Sequence, residues 1–420
     1  MEKQINKPQL RFPEFKGEWD KKKLGEVAET KVTNSFSREN LNYENGEVKN
    51  IHYGDIHTKF QTLFDLEKEN VPFINPEITI QRISEDFYCK VGDLVFADAS
   101  EDLNDVGKSV EIINLNNEKL LSGLHTILVR PKENTFKNGF AGYLFKSDSV
   151  RLQIQKESQG SKVLSISSGR LFGVNIFFPT LPEQTKIANF LTAVDEKIQA
   201  LKKRKALLEQ YKKGVMQKIF SQELRFKDND GKEFVEWEMK KLEEVLIIQG
   251  GFAFKSELFK NGNTKVFRIG DIEHNISIQN FTGVFSSELP NSKYLVKKND
   301  FLMALSGATF GKVGKIIDDG TGYINQRVAT FRTNECLEFY YQLVQTENFK
   351  SYINSIPTAS AQPNISNDDI GNYPSQIPTI PEQTHIANFL SAIDDKINHN
   401  NTQIQKNEQW KKGLLQKMFV

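Results

Sequence analysis

Apolar residues in the stretch 181–220 fall at Ile187, Leu191, Val194, Ile198, Leu201 and Leu208, and Tyr211, Val215 and Ile219 continue the same side. Spacings of three and four, held over so many turns, predict an amphipathic helix with coiled-coil character. The stretch 380–419 repeats the pattern with Ile386, Leu390, Ile393, Ile397, Ile404, Trp410, Leu414 and Met418. Pro182 and Pro381 suit a first helical turn, where a missing N–H costs nothing, and Thr180 and Thr379 are candidate caps. About 35 residues at ~1.5 Å each make a rod of roughly 50 Å. So long an apolar stripe needs a partner. The expected one is the other copy, packed antiparallel, with the two remaining parts of the chain at opposite ends. Asn400 and Asn407 interrupt the second stripe; they either set register as polar seam residues or face solvent.

The two helical stretches are also alike residue by residue: 21 of 40 aligned positions in 181–220 and 380–419 are identical without a gap. Such identity marks an internal duplication. Weaker echoes extend it upstream. Leu10-Arg11-Phe12 matches Leu224-Arg225-Phe226, and Trp19 with Lys22, Lys23 and Leu24 matches Trp237 with Lys240, Lys241 and Leu242. Tyr53-Gly54-Asp55-Ile56 matches Ile269-Gly270-Asp271-Ile272, Gly92 to Ala97 matches Asn299 to Ala304, and Ile166-Ser167 matches Ile365-Ser366. From Trp to the Pro-Glu-Gln motif the second interior is 19 residues shorter than the first. The chain therefore reads as four segments: a first variable domain over 1–180, a central helix over 181–220, a second variable domain over 221–379 and a C-terminal helix over 380–420.

Inside each variable domain, short strand-like runs such as Leu94-Val95-Phe96, Ile127-Leu128-Val129, Val174 to Phe178 and Phe301-Leu302-Met303 alternate with Gly-, Asn- and Asp-rich turns. Helical stretches are expected at Gly139–Lys156 and Glu338–Ile353. The fold class is α/β (α+β): two similar mixed domains separated by the paired helices, with pseudo-twofold repetition. Two polar loops occupy matching places. One is Asp98 to Lys108 in the first domain and Leu305 to Lys312 in the second; the other is Gly160-Ser161-Lys162 and Ser360 to Asn364. A shared skeleton carrying different polar loops is how specificity surfaces behave.

Charge changes this picture little. Net charge is +1, from 55 basic and 54 acidic residues, so the total does not announce a nucleic-acid binder. It is uneven: residues 186–220 carry nine Lys or Arg against three acids, and residues 85–105 carry seven acids against Lys90 alone. Cys89 and Cys336 are too far apart to suggest a disulfide framework or a metal cluster, which suits a reducing cytoplasm. The N-terminus has no apolar signal region and no apolar run nears the ~20 residues needed to span a bilayer. The chain is expected to be cytoplasmic. Catalytic motifs are not found. Gly107-Lys108-Ser109 has Asp102 where a P-loop needs its first glycine, and Gly307 to Val313 lacks both the spacing and the hydroxyl. His52, His57, His125, His274, His385 and His399 show no metal-ligand spacing, with His52 and His57 expected on a strand–turn segment.

The twice-occurring Pro-Glu-Gln-Thr…Ile-Ala-Asn-Phe-Leu…Asp…Lys-Ile helices, their Lys-Lys-Gly…Gln-Lys ends and the Gly-Asp-Ile and Ile-Ser landmarks resemble specificity subunits of type I restriction–modification systems, over essentially the whole chain. The resemblance implies two target-recognition domains, each reading one half of a split double-stranded DNA sequence. It implies helices that set the gap and dock two modification (methyltransferase) subunits. S-adenosylmethionine, ATP and Mg are implied on the modification and restriction/translocase partners, with no cofactor and no catalysis in this chain. Candidate DNA contacts are Lys108, Ser161, Lys162 and Arg170 in the first half. In the second they are Arg268, Ser306, Thr309, Lys312, Gln326, Arg327, Gln362 and Asn364. Candidate docking residues are Lys212, Lys213, Lys411 and Lys412, on exposed helix faces. A non-catalytic coiled-coil scaffold with two globular heads is the competing reading; it gives no reason for divergent loops on one skeleton.

Overall fold

Both apolar stripes fold as unbroken helices, Leu181–Phe220 and Ile380–Met418, in a computed structural model that describes residues 6–356 and 364–420. The chain divides into two compact units, one of residues 1–202 with 402–420 and the other of residues 203–401. The division differs from the four segments read along the sequence, because each unit takes part of both helices.

In unit 1 the five-stranded sheet runs in the order Ala28–Lys31, Thr126–Pro131, Leu94–Ala97, Ser109–Asn114, Leu63–Asp65. Every neighbour pair is antiparallel except the last. Its central strand is buried on both faces, as an uninterrupted Leu-Val-Phe-Ala run requires. Leu94 and Phe96 point into a cluster with Trp19, Phe140, Tyr143 and the helix residues Ile187, Leu191 and Leu414, whereas Val95 and Ala97 pack with Phe64, Val110 and Leu128. The unit also holds a four-stranded sheet (Lys119–Ser122, Val48–Ile51, Phe73–Ile74, Leu41–Asn42) and the pairs Asp20–Lys23 with Asn175–Phe178 and Ala99–Ser100 with Leu164–Ser165.

Unit 2 repeats the five-stranded sheet strand for strand. Its five-stranded sheet is Ile247–Gly250, Val328–Arg332, Phe301–Ala304, Val313–Ile316, Asn275–Ile276, with the same single parallel pair at the end. The Gly92-Asp93 and Asn299-Asp300 landmarks are one turn built twice. Gly92 and Asn299 sit at left-handed φ values of 94° and 72°. The following aspartates accept the backbone N–H of Lys90 and Lys297, at 2.8 and 2.9 Å. The expected helices at 139–156 and 338–353 are each two helices, Phe140–Leu144 with Asp148–Glu157 and Leu337–Leu343 with Glu347–Ser355. The break falls at Ser147 and Thr346, and the Thr346 hydroxyl accepts the N–H of Phe349 as a cap.

The repeated Pro-Glu-Gln motif fastens each domain to its helix. Glu183, only 2 % exposed, accepts two bonds of 2.7 Å from Arg11 and one of 3.4 Å from the Trp19 indole. Glu382 takes Arg225 and Trp237 in the same way. Gln184 receives the N–H of Lys137 and donates to the carbonyls of Thr135 and Pro179; Gln383 receives the N–H of Cys336 and donates to Pro378 and Glu335.

Within each unit the helix segments run antiparallel. In unit 1, Asp195 pairs with Lys411 and Lys202 with Glu408; in unit 2, Lys205 bonds Asn401 and Lys212 pairs with Asp394. The stripe reading is corrected at one matched position. Tyr211 and Trp410 are 55 % and 47 % exposed, and the lysine after each turns inward instead. Lys212 reaches Asp394 at 2.7 Å and Lys411 reaches Asp195 at 2.5 Å, and these aspartates also accept from Gln342 and the Tyr143 hydroxyl at 2.9 Å. Asn400 is buried at 2 %, so it belongs to the seam, while half-buried Asn407 bonds back to the Gln403 carbonyl.

One buried carboxyl makes stability depend on pH. Glu111 accepts the N–H groups of Gly139 and Gly142, both at 2.6 Å, yet burial pushes its pKa up to about 7 from the ordinary 4.5. Because the folded value lies above the unfolded one, the fold holds the proton more tightly. Its contribution is full below about pH 4.5 and is lost as pH rises through 7. Thermal unfolding of the wild type between pH 5 and 7.5 should therefore show falling stability, on the order of 2–3 kcal/mol for this group. Glu111→Gln should flatten that slope, and an equal slope in both proteins would refute the assignment.

Candidate nucleic-acid interface

In unit 2, four chain segments meet where strand Phe301–Ala304 runs out into the loop 305–312. The loop is closed on the strand by Gly311 N–H to the Ala304 carbonyl and Ala304 N–H to the Lys312 carbonyl, both 2.9 Å. Gly307 and Gly311 supply the left-handed turns, at φ 77° and 73°. Leu305 N–H bonds the Arg327 carbonyl at 2.9 Å, Ile365 N–H bonds the Leu305 carbonyl at 3.0 Å, and Ser306 pairs with Asn364. The Arg327 guanidinium donates to the Asn364 side chain at 3.0 Å, and the Thr309 hydroxyl to the Ile269 carbonyl at 3.1 Å.

Arg268, Ser306, Thr309, Lys312, Gln326, Arg327 and Asn364 are thus brought together, while Gln362 lies outside the described residues. Their roles differ. Ser306 is buried and Thr309 spends its hydroxyl tying two loops, so both shape the surface. Arg268, Lys312, Gln326, Arg327 and Asn364 are exposed. Among the described residues Lys312 and Gln326 have no side-chain hydrogen bond or ion pair, which leaves them available to a ligand.

Unit 1 builds the same junction with other side chains. Gly107 N–H bonds the Ala97 carbonyl and Ala97 N–H the Lys108 carbonyl, both 2.8 Å; Asp98 N–H bonds His125 and Ile166 N–H bonds Asp98. These bonds equate Lys108 with Lys312, His125 with Arg327 and Ser165 with Asn364. Strand Leu164–Ser165 pairs with Ala99–Ser100, which puts exposed Ser161 and Lys162 on the turn beside the loop 98–107. Lys108 is only half exposed. It is held by Asp105 at 2.5 Å and reaches the His57 carbonyl at 3.5 Å. Arg170 is exposed but engaged, 3.3 Å from both the carboxylate and the carbonyl of Glu157.

Sequence reading missed the aromatic part of this surface. His52 and His57 are not on a strand: His52 caps the helix Tyr53–Thr58, its Nδ1 accepting the Gly54 N–H at 3.1 Å. Tyr53 is ringed by His52, His57 and His125 at 4.6, 6.0 and 5.3 Å, and His125 stands 3.3 Å from the Asp98 carboxylate. Burial, and then the Arg38 charge, push the His52 pKa down, which keeps Nδ1 an acceptor. Burial alone would raise the pKa of Asp55, but hydrogen bonds from Arg38 and Lys59 outweigh it and hold the carboxylate below its usual range. One signal was available: His52 precedes Tyr53-Gly54-Asp55-Ile56 just as Arg268 precedes Ile269-Gly270-Asp271-Ile272.

The four helix lysines do not share one exposed face. Lys212 is 8 % exposed in its pair with Asp394 and Lys411 is largely covered in its pair with Asp195, so neither stands free for docking. Lys213 and Lys412 are exposed, the former 3.5 Å from Glu347. Among the described residues no cluster of His, Cys, Asp and Glu is arranged to hold a metal, and no helix is long and apolar enough to cross a membrane.

Comparison with known proteins agrees with this duplicated architecture. A family model described as the type I restriction modification DNA specificity domain matches twice, over residues 16–210 and 234–409. The chain is 27 % identical over 288 residues to the type I restriction enzyme MjaVIII specificity subunit of Methanocaldococcus jannaschii, covering 65 % of this chain and 68 % of the relative. It is 24 % identical over 431 residues to the putative MjaX specificity subunit of the same organism, covering 98 % and 95 %. In fold it is similar to the type I restriction–modification S subunit from M. genitalium, with a TM-score of 0.58, 15 % identity and 99 % of both chains covered. It is also similar to a chain from a structural study of complex assembly and conformational transition in the type I R-M system, at 0.55 and 14 %, covering 94 % and 96 %.

Proposed function

This chain belongs to the type I restriction modification DNA specificity family, and on that premise we propose how its two units divide the work. Each unit reads one half of a split DNA target with the loops at the end of its central strand. The carrying observation is that matching backbone bonds present Lys108 and His125 in one unit and Lys312 and Arg327 in the other. One scaffold with different donors at equivalent points is what two unlike half-sites require.

Exposed lysine and arginine supply salt-dependent affinity through phosphate, and side chains at base edges supply discrimination. Arginine suits guanine, and Gln326 and Asn364 suit adenine. The acids of the loop 98–107 are suited to accept from cytosine, and would otherwise only repel phosphate. The long helices act as the spacer and carry the docking faces for two modification subunits, with Lys213 and Lys412 each exposed on its own helix. Methyl transfer from S-adenosylmethionine and ATP- and Mg-dependent translocation belong to partner subunits, and this chain contributes recognition alone.

The test is long-read methylation mapping in a methylation-free host. The chain is co-expressed with its modification subunit, with and without residues 20–180 exchanged for those of another family member. A split motif whose one half changes on exchange is expected. Methylation indifferent to the presence or exchange of this chain would end the reading.

A further inference from the structure

The loop 98–107 is long, acidic and only partly self-supporting: Asp105 and Val106 donate their N–H groups back to the Asp102 carbonyl. Its start is tied to the strand Leu164–Ser165, and its far part is supported from outside. Arg151, on the helix Asp148–Glu157, donates through Nη2 to the carbonyls of Asn104 at 3.0 Å and Val106 at 2.7 Å. The helix that carries it is fixed. Val150 and Ile154 are buried in the core, and Gln153 exchanges two 2.9 Å hydrogen bonds with the backbone of Asn175. The guanidinium lies against Gly107, whose φ of 64° favours glycine, and where an added Cβ would stand 2.5 Å from Ile154. Arg151 Nη1 is buried and has no hydrogen-bond partner. A buried guanidinium left short of one partner is costly, which indicates that the two carbonyl contacts justify its place.

Among the described residues unit 2 has no such brace. The counterpart helix Glu347–Ser355 meets Gly311 through Ile353, as Ile154 meets Gly107, and the residue in the place of Arg151 is Lys350. Lys350 pairs with Glu347 at 3.5 Å, and a cleft of about 480 Å³ lies between it and the segment 308–312.

We propose that Arg151 is a positioning residue for recognition of the first half-site: it holds the loop 98–107 from behind, so that Lys108 and the loop acids meet the bases in one geometry. This rests on the reading that unit 1 recognises a half-site. The test measures methylation by the assembled complex on oligonucleotides carrying single base changes in either half-site. Arg151→Ala is expected to lower discrimination in the unit 1 half-site by about tenfold, the weight of one to two hydrogen bonds, with unit 2 discrimination unchanged. Arg151→Lys, which keeps the stem and charge but not the planar fork, should fall between, with the wild-type unfolding midpoint. Where the alanine variant does not fold, the lysine variant decides. Wild-type discrimination in the variants, or equal loss at both half-sites, overturns the proposal. Exchange of residues 98–107 separates the two ideas. A changed half-site with no effect of Arg151 sinks only the brace, and an unchanged half-site sinks the recognition reading itself.

Discussion

Glu382→Ala should destabilise unit 2 by about 3–5 kcal/mol, the scale for leaving one member of a buried charge pair alone. The carboxylate is fully buried and holds three donors, two from Arg225 at 3.0 and 3.3 Å and the Trp237 indole at 2.9 Å. Truncation removes the buried charge partner of a guanidinium that is only 16 % exposed, leaving it the Phe234 and Val235 carbonyls and the exposed Glu236 at 3.6 Å, and leaves a buried indole N–H unpaired. It also releases the Leu224-Arg225-Phe226 segment from the start of the helix. Glu382→Gln should cost less, since an amide oxygen still accepts, but its NH₂ faces donors. Urea unfolding monitored by tryptophan fluorescence measures this directly. A loss below about 1 kcal/mol, the level of an exposed pair, would show that the motif is ornamental.

Arg327→Ala should lower discrimination in one half-site by about 1–3 kcal/mol, the usual worth of a bidentate base contact, or roughly 5- to 150-fold in relative methylation. Among the described residues the guanidinium makes one hydrogen bond, to Asn364, and that leaves most of its donors to a ligand. Arg327→Lys should recover charge but not the fork. Because His125 occupies the same place in unit 1, His125→Ala should act on the other half-site alone. Equal loss at both half-sites in either variant would mean that these residues serve general affinity, and a flat result would remove them from the interface.

Periodicity made the helices and their pairing legible, and the uninterrupted Leu94–Ala97 and Phe301–Ala304 runs made the central strands legible, because burial on both faces leaves no room for alternation. The matching loops were legible because a repeat within one chain provides its own alignment. Tyr211 and Trp410 were misplaced because a stripe counts apolar side chains. It cannot register that Asp394 and Asp195 wait across the seam for Lys212 and Lys411. The same error put those lysines among docking candidates. His125 was passed over because the two strands that follow it and Arg327 share one identity, Arg130 with Arg332; the equivalence becomes plain in the hydrogen bonds of their carbonyls to Asp98 and Leu305. The Tyr53–Thr58 helix was hidden by its shortness, and its cap is a histidine ring rather than a hydroxyl.

The units also differ in how the chain supplies them. Unit 2 is one continuous stretch, 203–401, whereas unit 1 needs 402–420 as well, where Leu414, Met418 and Phe419 enter its core and the Lys417 carbonyl accepts the Leu10 N–H. On the ribosome, where domains fold as their residues emerge, the unit begun first is therefore the one finished last. Until residues 402–420 emerge, Trp19 and Phe140 wait without their Phe419 neighbour. A ribosome that stops after unit 2 leaves the damage nearly four hundred residues upstream, in the domain that was synthesised first.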